Sequence, residues 1–508
     1  MLKLARPFQN YMILQRNKPV KVWGSSDCDD DVSVILNQLE ILHIEIGAGD
    51  FAFTLPAQPA MRDSSLVFQT RSGQTIGFQN IDFGDVWIAG GQSNMEFTLR
   101  YDAEGKETAA SADDLHIRYY EVGKYRFAGE REEGLRDASH WEQWMTFCPE
   151  NATYFSAVAA YFALKVREFS DVPLGMIGCN YGGTTASTWL DEQYLYADKD
   201  LQVFIENYQS GQKSINLETY DQDSRKEREN EASPFTVKYM DQLMSGRAGW
   251  FVRMVAAMMV KASSNKKLVF GPRHQNRPGG LYHHMLTEIS GYSCSGVIWY
   301  QGETDDDFSQ VYARLFTAMI ACWRRDWNDE LPFLFVQLAP FESWIGLKAM
   351  NFPELRKQQE MVANSVPQTW MASIMDSGNR YDIHPKNKRP VGERLGLLAL
   401  KYIYGEAVDA EAPQFRSAER VGGNICLRFD YAYRGLSVRG SQPNEWEVIA
   451  DGKKIPIVVR AHADTVELLA SGLASAKKIE IRFAETNYCV VNLFNCADLP
   501  ARPFSVVL

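Results

Sequence analysis

No stretch of this 508-residue chain supplies the roughly 18 uninterrupted apolar positions that a bilayer-crossing helix needs. The longest candidate, Trp250 to Val260, is too short and contains Arg253. The segment from Met1 to Pro7 lacks the apolar core of a secretion signal. Eight cysteines include no Cys-x-x-Cys pair, so neither a zinc site nor a disulfide framework is indicated. There is no His-Glu-x-x-His, and the adjacent His283 and His284 cannot both face one site on a helix. No metal and no other cofactor is therefore expected. Basic residues are in the minority, 53 against 64 acidic, for a net charge of -11. That balance argues against nucleic acid or an anionic membrane as partner. No internal repeat is present. These absences point to a cytoplasmic protein, with export by a signal outside the sequence as the alternative; a homo-oligomer is left open.

What is present is the composition of a globular protein, 45% hydrophobic and 23% charged, long enough for two to four domains. Residues 1–82 read as a β-rich module of short strands such as Val32 to Leu36 and Leu66 to Phe68. From 83 to 405 the pattern alternates. Continuous apolar strands are expected at Asp85–Ala89, Leu174–Gly178, Gly296–Tyr300, Pro332–Leu338 and Trp370–Met375. Between them lie helical faces, such as Phe155, Val158, Phe162 and Val166. Such alternation predicts an α/β fold, a parallel sheet covered on both faces, with ligands beyond the carboxyl ends of its strands. An insertion over about 195–270 carries the charge-dense Asp221 to Glu231, read as solvated, with a lid as the sharper alternative. Residues 406–508 return to alternating β patterns, a β-sandwich-like module with a hairpin turn at Asp451-Gly452.

The chemistry gathers at expected strand ends. Val86-Trp87-Ile88-Ala89 breaks into Gly90-Gly91-Gln92-Ser93, which is how an α/β hydrolase presents a nucleophile. Ser93 needs a base, and His384 is the candidate. In extended chain, residues two apart face the same side, and Pro385 disfavours helix at His384, so Asp382 can orient the imidazole. An ester oxyanion also needs fixed donors: the Ser93 N–H, Gly182 or Gly183, and the Gln301 amide are the candidates. Glu303 reads as a scaffold for the Ser93 loop, and Asn94 as a brace of the same turn. A paired-carboxylate glycosidase using Glu303 and Asp382 would leave Ser93 and His384 without a role.

Together these segments resemble the sialate O-acetylesterase group of the SGNH hydrolase superfamily. The resemblance rests on Gly91-Gln92-Ser93-Asn94-Met95, Tyr181-Gly182-Gly183-Thr184 with Trp189, Trp299-Tyr300-Gln301-Gly302-Glu303, and Asp382-Ile383-His384-Pro385-Lys386-Asn387-Lys388. It reaches both ends, through Met12 to Arg16 and Asn492 to Phe504. It implies a flavodoxin-like three-layer α/β/α core and removal of acetyl groups from sugar hydroxyls through an acetyl-serine. Ser93, His384 and Asp382 would form the triad, and Gln301 with the glycine pair would hold the oxyanion. Gln92 and Trp299 fall within the same motifs, as site support or substrate contacts. The family's Leu-Tyr-Asn stands here as Leu281-Tyr282-His283, and Asp305 takes the place of a common Asn; the resemblance implies that both changes bear on substrate recognition and leave the triad intact. O-acetylated sialic acid is the leading substrate. Acetylated xylan is the alternative, and a non-catalytic carbohydrate-binding protein the alternative of another class. Because His384 must be neutral to act, the rate is expected to fall within pH 5–8 as the medium becomes acidic.

Overall fold

The computed structural model describes residues 1–135, 137–265 and 271–508. Its centre is a sheet built from β1 (Thr75–Gly91), β2 (Asp114–Glu121), β3 (Trp144–Phe147), β4 (Leu174–Asn180), β5 (Gly296–Tyr300), β6 (Phe333–Val336) and β7 (Thr369–Ala372). The strand order is β3-β2-β4-β1-β5-β6-β7, all parallel except the edge strand β3. All five expected strands are in it. Two members, β2 and β3, were not anticipated. The reason for β2 is chemical: Arg118 and Glu121 are buried within it, and their charges break the apolar run. Arg118 is held by Asp82 at 2.8 Å.

Two tryptophans show why helices cover both faces. In β1, Trp87 meets Phe162 of α1 (Ala157–Arg167) at 5.0 Å between ring centroids. In β5, Trp299 pairs in register with Gly90, three residues beyond Trp87, and so points to the opposite face. There it stacks on Phe316 of α2 (Tyr312–Trp327). Helix α3 (Phe352–Ser365) packs beside α2, and α4 (Arg389–Tyr402) packs beside α1.

Strand β1 is 17 residues long and runs unbroken across the boundary expected between 82 and 83. Its first half pairs antiparallel with Met61–Thr70, and its second half lies between β4 and β5. The N-terminal strands accordingly share one apolar core with the central sheet. The C-terminal residues form two four-stranded sheets around a separate core that includes Ile425, Leu427, Val466, Ile479 and Phe483.

The inserted segment is helical at Gln202–Gln212, Leu217–Glu231, Pro234–Met244 and Trp250–Asn265. The charge-dense stretch is not uniformly solvated: Arg228 is buried on Glu133 at 2.6 Å. Among the described residues, no helix is long and apolar enough to cross a membrane.

Candidate active site

Strand β1 sits where the chain turns from one side of the sheet to the other, the position where open α/β sheets bind ligands. At its carboxyl end Gly91 adopts φ +134°, and a Cβ there would lie 2.1 Å from the Tyr300 carbonyl oxygen. Only glycine fits both the conformation and the space. The turn delivers Ser93 as the first residue of a short helix, Ser93–Glu96, whose leading N–H groups have no partner within the helix. Gln92 secures the turn, because its side-chain oxygen accepts from the Gly302 and Thr304 N–H groups, each at 3.3 Å.

The facing group comes from the loop between β7 and α4. His384 is buried, and its Nε2 lies 2.9 Å from the Ser93 Oγ. Burial first, and then Lys388 and Lys386, hold its pKa well below 6.5. The imidazole is therefore neutral at ordinary pH. This changes the expected rate profile: the decline belongs at the acidic edge of pH 5–8 or below it. The edge of the ring abuts Trp344, with centroids 4.9 Å apart. Asp382 lies alongside but does not hydrogen-bond the ring. Its Oδ1 is 3.9 Å from Nδ1 and instead accepts the His384 backbone N–H at 2.9 Å. Nδ1 is buried, with no hydrogen-bond partner among the described residues. The other oxygen of Asp382 faces Lys386 at 3.1 Å.

Asn94 ties the two halves together. Its amide donates to Glu303 and, at 3.0 Å, to the Ile383 carbonyl beside the histidine, while its oxygen accepts from Lys388. All three side chains are buried. Burial pushes the Lys388 ammonium down to about 7, opposed by Glu303. Burial likewise raises the Glu303 carboxyl. Three loops are thus joined beneath the serine.

The chain has counterparts among known proteins. Residues 256–396 match the family model "Carbohydrate esterase, sialic acid-specific acetylesterase". The sialate O-acetylesterase of Rattus norvegicus is 25% identical over 557 residues, covering 99% of this chain and 94% of that protein. That of Homo sapiens is 24% identical, covering 99% and 92%. A carbohydrate acetylesterase from Xanthomonas citri, of known crystal structure, is 27% identical at a TM-score of 0.75, covering 100% of this chain and 99% of that one. The chain resembles the sialate O-acetylesterases throughout its length. It is a hydrolytic esterase.

Other residues of this esterase stand differently from expectation. Gln301 is fully buried, and its amide donates to the Thr184 carbonyl at 3.0 Å and to Asp305 at 2.6 Å. With those donors engaged, it is not placed to serve an oxyanion. Trp299 is a core residue under α2, 1% exposed, and offers no surface to a substrate. Tyr282 and His283 turn to Arg325 and Glu192, at 2.9 and 2.7 Å, rather than to Ser93 or His384. Asp305 is sealed beneath Gln301, with burial pushing its carboxyl up to about 7, so it braces the site instead of meeting the sugar.

The glycine pair follows β4. A Cβ on Gly182 would stand 3.3 Å from that of Ser93, so this backbone closely approaches the nucleophile. Its N–H is directed at Glu96, 2.6 Å away, whose carboxylate is held by Lys124 at 2.7 Å. Gly183 carries the turn at φ +69° with open space on its Cβ side. Glu96, Lys386, Lys388 and Trp344 were not singled out from sequence. The two lysines continue the every-second-residue spacing of Asp382 and His384, and that spacing was the available signal. Trp344 had none.

Proposed function

We propose that this esterase removes acetyl groups from sugar hydroxyls through an acetyl-serine, with Ser93 as nucleophile, His384 as base and Asp382 as orienting acid. The observation that carries the reading is the 2.9 Å contact between Ser93 Oγ and a buried, neutral His384. In the first step Oγ bonds to the acetyl carbon and its proton passes to Nε2. The carbonyl oxygen gains the negative charge, met by the N–H groups at the start of the Ser93 helix. Gly182 joins them by exchanging Glu96 for the substrate oxygen, with Lys124 neutralising the displaced carboxylate. Collapse expels the sugar oxygen, which takes the proton from His384. Water then attacks the acetyl-serine with His384 again as base, releasing acetate and restoring Ser93.

The catalytic layer in this reading is an SGNH-type core over residues 83–405, flanked by β-rich parts at 1–82 and 406–508. The family description and the curated relatives favour O-acetylated sialic acid as substrate. Ser93→Ala should release no acetate from O-acetylated sialic acid or from a simple aryl acetate; near wild-type release would sink the mechanism. A serine-reactive phosphonate should add its mass to Ser93. An unlabelled protein that still binds acetylated sugars would favour a carbohydrate-binding role. Comparing O-acetylated sialic acid with acetylated xylo-oligosaccharides at matched concentrations decides the substrate.

A further inference from the structure

The bent loop before α4, closed by the His384 N–H on the Asp382 carboxylate, brings the side chains of Asp382, His384 and Lys386 together. The consequence is a contest. Asp382 has one carboxylate, and two groups within reach have reason to take it. The structure records the contest in one state: Lys386 Nζ at 3.1 Å, His384 Nδ1 at 3.9 Å, and Nδ1 buried with no hydrogen-bond partner among the described residues. We infer that Lys386 is a positioning residue that competes with His384 for the Asp382 carboxylate, so that the acid orients the imidazole only when Lys386 withdraws. This rests on the serine-esterase reading above.

Among the described residues, the Lys386 ammonium has one carboxylate partner, Asp382, and it stands 5.3 Å from the centre of the Phe97 ring. Burial lowers its pKa, opposed by Asp382. Lys386 also lines a cleft of about 870 Å³ beside α4, into which the side chain can swing; the acids on that cleft, Asp376, Glu393 and Asp498, are each paired with an arginine. The inserted helices bear on the same side chain, because the backbone at Gly246 approaches the Lys386 Cε. Other charges also act on these groups. Lys388 is at His384 from the same loop, Glu303 and Asp102 face Lys388, and Arg253 of the inserted segment faces Lys386. All of these remain when Lys386 alone is changed.

With Lys386 gone, the carboxylate is free to accept from Nδ1, and one repelling cation is lost. Both effects favour the protonated imidazole, so the acidic limb of the kcat/KM profile should rise by about one pH unit in Lys386→Met. Loss of the cation alone would also raise it, and Asp382 separates the two causes. The shift should shrink by at least half when Lys386→Met is made in an Asp382→Asn background. A strongly downfield imidazole N–H proton should appear in Lys386→Met at neutral pH, be absent in the wild type, and vanish in the double variant. Lys386→Arg should keep the wild-type profile. Should Lys386→Met not fold, Lys386→Gln carries the same comparison. An unchanged limb, a downfield proton of equal strength in the wild type and in the lysine variant, or a full shift in the Asp382→Asn background would each overturn the inference. Phosphonate labelling of Ser93 is measured on every variant. Labelling with an unchanged limb defeats only the role of Lys386, whereas a wild type that never labels defeats the serine reading itself.

Discussion

Ser93 and His384 meet at 2.9 Å, yet the two sides of that contact are held by different means. The serine turn is fixed by backbone. It closes a buried parallel strand, is threaded against Tyr300 at Gly91, and is pinned by Gln92. The histidine loop is tied by backbone only at its flanks, where the Ser343 N–H meets the Arg380 carbonyl and the Ala103 N–H that of Lys386. Around His384 it is held by side chains, namely Asn94, Lys388 and the Trp344 ring, and its acid is shared with Lys386. Backbone restraint gives one geometry. A side-chain network with two partners for one carboxylate gives at least two. In the proposed mechanism, Ser93 therefore stands on the rigid half of this site and His384 on the adjustable half.

That contrast can be broken or sharpened by substitution. The largest effect is expected at the rigid half. Gly91→Ala places a methyl 2.1 Å from a backbone oxygen at a φ that alanine rarely adopts, and should cost more than about 4 kcal/mol. Chemical denaturation should show loss of the folded state or a collapsed midpoint; wild-type stability would contradict the backbone account. Next comes the bridge between halves. Asn94→Ala leaves Glu303 and Lys388 without their shared partner. It should destabilise by about 3 kcal/mol, and kcat should fall by roughly 100-fold through loss of alignment. An unchanged KM with fallen kcat would place the damage in positioning.

A smaller effect is a matter of pH. The folded pKa of His384 is depressed, so the active neutral form persists below pH 6.5 and is lost only as pH falls through the folded value. With chemistry rate-limiting, kcat/KM should stay level from pH 8 down past pH 6.5 and decline only in more acidic medium. A limb centred above pH 6.5 would mean the imidazole is less buried than described. The smallest effect is at Trp344. Removing its edge contact with Trp344→Ala removes an aromatic contact of about 1 kcal/mol, a reduction of roughly fivefold in kcat/KM if the loop then samples poor orientations. A loss of 100-fold would show that the base loop is as rigid as the nucleophile turn.

The same contrast explains what could be read from sequence. Continuous apolar strands and their glycine endings are local signals, so β1, β4, β5, β6 and β7 and the approach of Ser93 to His384 were legible. Strand β2 was not, because its buried Arg118 is satisfied by Asp82 and by the carbonyls of Tyr11 and Asn80, partners far away in the chain. Gln301 was placed at the correct strand end but facing the wrong way. Side-chain alternation sets it on the same side as Trp299, under α2, where Tyr312 donates to it at 2.9 Å. Adjacency to a site is visible in a motif; the direction of a side chain depends on the helix laid over it.

The long strand that ends at the nucleophile also bears on how the protein is made. Its first half can pair with the N-terminal strands as soon as it leaves the ribosome, but its second half waits for β4 and then for β5, roughly 200 residues later. At about 5–20 residues per second that is a delay of about 10–40 s. Until β4 arrives, Val86 to Ala89 present an apolar ribbon with two unpaired edges, and from then until β5 arrives with one, a template for aggregation. The segment that leads to Ser93 is thus left waiting for its partners during synthesis.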